Sequence, residues 1–169
     1  MNFSIGIPQK QRVWFNLGRI VTNMAILERV VISAISYVAK IDRELCLSMV
    51  ARDNFETLLK TLESVFAHEI HDINLTIEMD DFLKKLRAVN DKRNTYIHAS
   101  WFYFPDNPLI VCTQRVSKGK IGKSKKDIAN VKDVNIADLE KLVNDIIKLR
   151  ESFSSFIVKN SSLFKSLNN

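Results

Sequence analysis

The sequence predicts a mainly α-helical protein of one domain, residues 1–169, with four long helices and a small β-hairpin inserted between the third and fourth. Three observations predict this class. Apolar residues recur at three- and four-residue steps over four long segments, as in amphipathic helices. Only four glycines and three prolines occur in the chain, so few turns interrupt these segments. An aromatic run after the third segment has the composition of a strand.

The first predicted helix covers residues 11–38. Its apolar stripe comprises Leu17, Ile20, Val21, Met24, Leu27, Val31, Ile35 and Val38. Glu28 interrupts this apolar region and has two interpretations. It is either a solvated or locally paired carboxylate, or an acceptor for Arg93 or Arg19, because buried charges among apolar residues are usually paired.

The second predicted helix covers residues 44–68 and the third covers residues 76–100. Between them lies the cluster His68-Glu69-Ile70-His71-Asp72. Its second histidine comes one residue too early for the zinc motif H-E-x-x-H, so the cluster is interpreted as a solvated helix end. The sequence therefore predicts neither a metal nor any other cofactor.

The segment after the third helix predicts a hairpin over residues 101–116, because two β-prone runs flank Pro105-Asp106-Asn107-Pro108. A further short strand is expected around residues 128–134. Asn135 is the predicted N-cap of the fourth helix, which covers residues 136–158. The tail beyond that helix is rich in serine and asparagine.

A basic loop over residues 117–126 separates the hairpin from the last helix. It is interpreted either as an exposed loop or as an arm that neutralises phosphates and loses affinity as salt rises. The candidate substrate-binding residues are Arg115, Lys118, Lys120, Lys123, Lys125 and Lys126. The formal charge of +6 also favours an anionic partner.

Composition gives a simple expectation for location. Two cysteines do not form a disulfide framework, and Cys46 lies among apolar residues, as a small buried side chain would. The N-terminus lacks the pattern of a signal peptide, and no uncharged stretch is long enough to span a bilayer. We therefore expect a soluble cytoplasmic protein without a membrane partner.

The end of the third helix carries the most informative residues. At about 100° per residue, Arg93, Asn94 and His98 fall within roughly 140° of the helix circumference, and Asn90 borders this arc. Leu83 and Leu86 lie on the same arc, so these polar groups lie partly on the apolar side of the helix. Unpartnered polar groups there would each cost about 1–3 kcal/mol, so either a structural network or a ligand has to meet them.

The spacing Arg-Asn-x-x-x-His resembles the R-x(4–6)-H signature of the HEPN superfamily (higher eukaryotes and prokaryotes nucleotide-binding domains). Arg93, Asn94 and His98 match this signature, and the order of predicted elements extends the resemblance over most of the chain. The resemblance implies a HEPN-like bundle of four long helices that pairs as a homodimer. Some members have a tyrosine two residues after the histidine, where this chain has Ser100.

The resemblance implies a metal-independent endoribonuclease of toxin or defence type, as in toxin-antitoxin pairs or phage defence. It would cleave RNA at a composite site in the dimer interface. His98 suits proton transfer, Arg93 suits phosphate charge, and Asn94 would position the histidine or the substrate. Glu28 and Asn90 would support the site. An antitoxin or regulatory protein would be encoded elsewhere. The alternative is a non-catalytic dimer that binds RNA or a protein partner.

Overall fold

The computed structural model describes residues 9–104, 107–114, 130–133 and 135–161. These residues form five α-helices and three strands. The helices are α1 (Gln9–Ala39), α2 (Arg43–Val50), α3 (Phe55–Glu69), α4 (Ile73–Ile97) and α5 (Ile136–Lys159). The mainly helical class predicted from the sequence is therefore confirmed.

The predicted second helix, residues 44–68, is wrong in one respect, because it is two helices separated by residues 51–54. The backbone N–H of Asp53 donates to the Val50 carbonyl, which closes a turn after α2. The side chain of Asn54 then accepts from the Thr57 N–H at 2.9 Å and begins a new helix. The apolar stripe suggested one continuous helix, but capping by a short polar side chain begins a second helix here.

The other helix boundaries also follow local capping. Asn135 caps α5 as predicted, since its side chain accepts from the Ala137 N–H at 2.9 Å. α4 begins at Ile73, three residues before the predicted start, because Asp72 accepts from the N–H groups of Asn74 and Leu75. It ends at Ile97, three residues before the predicted end at residue 100.

The cap at the start of α4 should be measurable. Replacing Asp72 with alanine leaves the backbone N–H groups of Asn74 and Leu75 without an acceptor, so we expect a loss of about 1 kcal/mol in the free energy of unfolding. Urea titration measures this loss. Asp80→Ala is the matched control, because Asp80 is an exposed aspartate on the same helix, and its effect should stay within about 0.5 kcal/mol. Equal losses in the two variants would contradict the capping role.

The core forms around α1, which has its most extensive contacts with α5 and α3. Polar pairs show that α1 and α5 run parallel: Arg12 with Glu140 at 3.0 Å, Asn23 with Arg150 at 3.5 Å, and the Tyr37 hydroxyl with the Ser161 carbonyl at 3.0 Å. The most deeply buried large side chains are Phe66, Phe153, Ile20, Met24, Leu27, Leu59, Leu62, Met79, Leu83, Leu86 and Leu139. One apolar core thus joins all the long helices.

α4 runs antiparallel to α5. The ring of Phe82 near the start of α4 lies 5.4 Å from that of Phe153 and 5.1 Å from that of Phe156. Lys92 near the end of α4 lies 3.8 Å from Asp145, close to the start of α5. The last turns of α4 therefore lie at the end of the bundle where α1 and α5 begin.

The strands β1 (Ser100–Phe104), β2 (Asn107–Gln114) and β3 (Asn130–Asp133) form an antiparallel sheet in the order β1-β2-β3. Ser100 pairs with Thr113, and Thr113 also pairs with Val131. β1 begins three residues after α4 ends. The sheet therefore continues from the end of α4 that carries the candidate residues.

α1 is long and apolar enough to cross a bilayer by length and composition, and among the described helices it alone meets that criterion. Within Gln11–Ala39, the scored 18-residue window has a mean hydropathy of 1.4, and 44% of that window is buried inside the chain. A helix at the centre of a core has the same composition.

Candidate functional site

The guanidinium of Arg93 is the least satisfied polar group in this part of the fold. Arg93 is half-buried near the end of α4, and its Nη1 donates to Asn94 Oδ1 at 2.8 Å. Its Nε is buried and, among the described residues, has no hydrogen-bond partner. An orphaned buried donor costs about 1–3 kcal/mol. Arg93 thus has a buried donor that no described residue meets.

His98 lies at the C-cap of α4, where φ is −97° and ψ is 7°. Its backbone N–H donates to the Asn94 carbonyl at 3.2 Å, so the residue closes the last turn of the helix. Its side chain is exposed, and no described residue hydrogen-bonds to the imidazole. The histidine can therefore reach a solvent molecule or a ligand without breaking an interaction within the described part of the chain.

Asn94 joins these two residues. Its side chain accepts from Arg93, and its backbone carbonyl accepts from His98. The structure therefore brings the three predicted catalytic residues together on the last turn and a half of α4. Arg93 and Asn94 are in direct side-chain contact, whereas the His98 ring contacts neither through a hydrogen bond.

The two predicted supporting residues have different positions. Asn90 lies one turn before Asn94 and is buried, with 8% of its surface exposed. Glu28 is half-buried on α1, and no ion pair within 4.0 Å joins it to either arginine among the described residues. Arg19 contacts Asn16 Oδ1 at 3.4 Å instead. The interpretation of Glu28 as an acceptor for Arg93 or Arg19 is therefore wrong for the described chain, and Arg93 is oriented by Asn94.

Arg93 and Asn94 thus form a cationic pair beside the exposed imidazole of His98, and the buried Nε of Arg93 has no described hydrogen-bond partner. No family model, curated protein or solved structure matches the chain. What the group does must be inferred from its own chemistry.

The predicted substrate-binding loop lies outside the described residues, and this applies to Arg115, Lys118, Lys120, Lys123, Lys125 and Lys126. Among the described cations, Lys92 precedes Arg93 but faces a different surface. It lines a groove of about 430 Å³ between α4 and α5, with Lys85, Lys148, Val89 and Leu149. Because Lys92 pairs with Asp145 there, we do not assign it to the Arg93 site.

Trp14 contacts Trp101, three residues after His98 in sequence, and sequence reasoning missed this contact. Its ring lies 6.1 Å from that of Trp101, with an interplanar angle of 56°, and half of its surface (51%) is exposed. Trp101 packs against the core, and its indole N–H donates to the Tyr96 carbonyl at 3.1 Å. Trp14 falls outside the apolar stripe of α1, which was the available signal that it serves another surface.

The described residues contain no group of three or more histidine, cysteine, aspartate or glutamate side chains placed to hold a metal ion. His68 Nδ1 lies 2.8 Å from Glu69 Oε1, in an exposed pair. Cys46 is buried, and burial raises the pKa of its thiol above the ordinary value by desolvation. A neutral, buried thiol is a poor nucleophile, which agrees with the packing role predicted for Cys46.

Proposed function

We propose that the chain is a metal-independent endoribonuclease of toxin or defence type, with a HEPN-like arrangement of long helices and Arg93, Asn94 and His98 as its catalytic residues. The proposed setting is the cytoplasm, with RNA as substrate. A regulatory protein or antitoxin encoded elsewhere would restrain the activity. The sheet between α4 and α5 would correspond to the insertion that the sequence predicts.

One observation carries this proposal: the buried Nε of Arg93 has no described partner, while its Nη1 is held by Asn94. A guanidinium held at Nη1 by Asn94, with Nη2 not hydrogen-bonded to any described residue, suits a ligand with several oxygen acceptors. Phosphate diesters present such oxygens in the spacing that arginine binds. A purely structural arginine would instead be expected to satisfy its buried donors within the chain.

The chemistry follows from the residue types. A base removes the proton of a ribose 2′-hydroxyl, and the 2′ oxygen attacks the adjacent phosphorus. The P–O5′ bond then breaks, and an acid protonates the leaving 5′ oxygen, giving a 2′,3′-cyclic phosphate and a 5′-hydroxyl. Histidine is the side-chain type suited to either proton transfer near neutral pH. Arg93 would stabilise the charge that grows on the phosphoryl oxygens.

Separate acid and base groups require two histidines, and one chain supplies one at this site. We therefore propose a homodimer in which His98 of a second copy completes the constellation. The lysines of residues 117–126 and Arg115 would neutralise phosphates beyond the cleavage point, which predicts weaker binding as salt rises.

A second candidate function is favoured by one observation. No described residue orients the His98 imidazole, whereas a general base is usually positioned by a neighbouring group. A non-catalytic dimer that binds RNA through Arg93 needs no oriented imidazole. This candidate predicts salt-sensitive RNA binding without cleavage.

The two candidates are separated by incubating the purified chain with single-stranded RNA in excess EDTA. We expect fragments that end in 2′,3′-cyclic phosphate and 5′-hydroxyl groups, detected by end-labelling before and after phosphatase treatment. The same preparation carrying His98→Ala controls for contaminating nucleases. RNA that is bound yet stays intact would favour the binding dimer, and RNA that is neither bound nor cleaved would contradict both functions.

A further inference from the structure

The outward face of α1 between Trp14 and Ile26 is largely apolar, with Arg19 over the Phe15 ring at one edge and Trp101 beside Trp14 at the other. Four of its large side chains are strongly exposed: Trp14 at 51%, Phe15 at 64%, Val21 at 45% and Ile26 at 40%. Gly18, Thr22 and Ala25 lie between them and are also exposed. Singly exposed apolar residues are ordinary, but a continuous face of this kind on one helix marks an interaction surface.

The centre of this face admits a second helix at close range. A Cβ built on Gly18 would meet no atom within 4 Å, so the surface is open there. Thr22 and Ala25 continue the small side chains along the same face. Small residues at the centre with large apolar ones at the edges allow two helices to approach closely while the large side chains pack around the contact.

The exposed area reaches the lower limit for a pairing of identical chains. Aromatic side chains cover about 150–250 Å² each, so the exposed parts of Trp14 and Phe15 together offer roughly 200 Å². With the aliphatic and small residues, the face offers on the order of 500 Å² per copy, and a symmetric pair would bury about 1,000 Å² in total. This is the area that a specific interface needs to reach.

We infer that this face of α1 is the homodimer interface, and that the two α1 helices pack with their N-terminal ends at the same end of the dimer. The orientation rests on the proposed function, which needs two copies of the Arg93–His98 group near each other. Trp14 borders the face and contacts Trp101, three residues after His98. Same-end pairing therefore brings both candidate sites to one end of the dimer, next to the interface.

The opposite orientation predicts a different distance between the two copies of Phe15. If two α1 helices paired antiparallel about Thr22, the two Phe15 positions would lie about 21 Å apart, since fourteen residues of helix separate them along the axis. In same-end pairing the two Phe15 positions lie at the same level along the helix axes. A disulfide bridges Cα atoms only within about 7 Å, so cross-linking distinguishes the two arrangements.

The first measurement is the mass of the full chain by sedimentation equilibrium. We expect twice the chain mass of 19.5 kDa for the wild type, and at least a tenfold weaker dimer for Val21→Glu and Ile26→Glu. Leu45→Glu and Met49→Glu are matched controls, because those side chains are 53% and 68% exposed and belong to α2, and they should leave the dimer unchanged. A monomer at all concentrations, or equal effects of the two pairs, would overturn the interface.

The second measurement is oxidation of Phe15→Cys in a Cys112→Ser background, with Met49→Cys in the same background as the control. A covalent dimer for the first variant alone supports same-end pairing. Cross-linking through Thr22→Cys but not through Phe15→Cys would overturn the orientation. Binding of α1 to phosphatidylcholine vesicles with loss of the dimer, or protection of Trp14 by RNA on a monomer, would overturn the choice of a second copy.

The His98→Ala variant separates this inference from the proposed function. His98 is not part of the α1 face, so its replacement should leave the dimer mass unchanged. A dimer that never cleaves RNA would support the interface and contradict the enzyme. A monomer that cleaves RNA would support ribonuclease activity and contradict both the interface and the completion of the site by a second copy.

Discussion

Replacing His98 with alanine is expected to reduce RNA cleavage about 10²–10⁴-fold, the usual contribution of a positioned acid or base. The free energy of unfolding should change little, because the side chain is exposed and has no described hydrogen bond to lose. The rate is measured under single-turnover conditions with RNA in EDTA, and stability is measured by urea titration on the same samples.

The chain supplies its own controls for His98. It contains three histidines, and the other two, His68 and His71, are exposed near the opposite end of α4. His68→Ala and His71→Ala should retain cleavage within about twofold of wild type, because neither lies near the Arg93 group. Comparable losses of cleavage in all three variants would show that the effect comes from handling or folding, and would contradict a catalytic role for His98.

Replacing Arg93 with methionine is expected to reduce cleavage about 10²–10³-fold, the loss typical when one charge-stabilising donor is removed from a reacting oxyanion. Stability should change by less than about 1 kcal/mol, because removal of the orphaned Nε offsets the loss of the hydrogen bond to Asn94. Activity assays and urea titration of the same variant test both parts of this expectation.

The variant Arg93→Lys tests whether the planar guanidinium is needed in addition to the charge. Lysine keeps the charge but not the planar fork, so it should restore little of the activity if two phosphate oxygens are bound together. Arg87→Met is the control, because Arg87 lies on the same helix and forms ion pairs with Glu63 and Glu56. That variant should lose some stability and keep its activity. A stability loss at Arg93 at least as large as at Arg87, with cleavage unaffected, would identify Arg93 as structural.

The helical class could be predicted because each long helix repeats its apolar residues at helical spacing over many turns. The break at residues 51–54 could not, because apolar residues at 47, 50, 55 and 58 keep nearly the same spacing across it. A single Asn54 side chain decided that boundary. Periodicity averages over a segment, whereas a cap is one hydrogen bond at one position.

The candidate site could be predicted in part for a similar reason. Neighbours along one helix follow from spacing, so the contact between Arg93 and Asn94 and the position of His98 near them were accessible. Contacts between helices depend on their relative rotation and level. For that reason spacing left both interpretations of Glu28 open, and the approach of Trp14 to Trp101 was missed.

The parallel pairing of α1 with α5 also sets the order in which the chain can fold. The residues that these two helices join are separated by 124 to 128 positions in sequence. During synthesis the apolar stripe of α1 therefore cannot pack against α5 until α5 has been made. Closing so long a segment is entropically costly and slow, so assembly of the bundle is a late event in the life of the nascent chain.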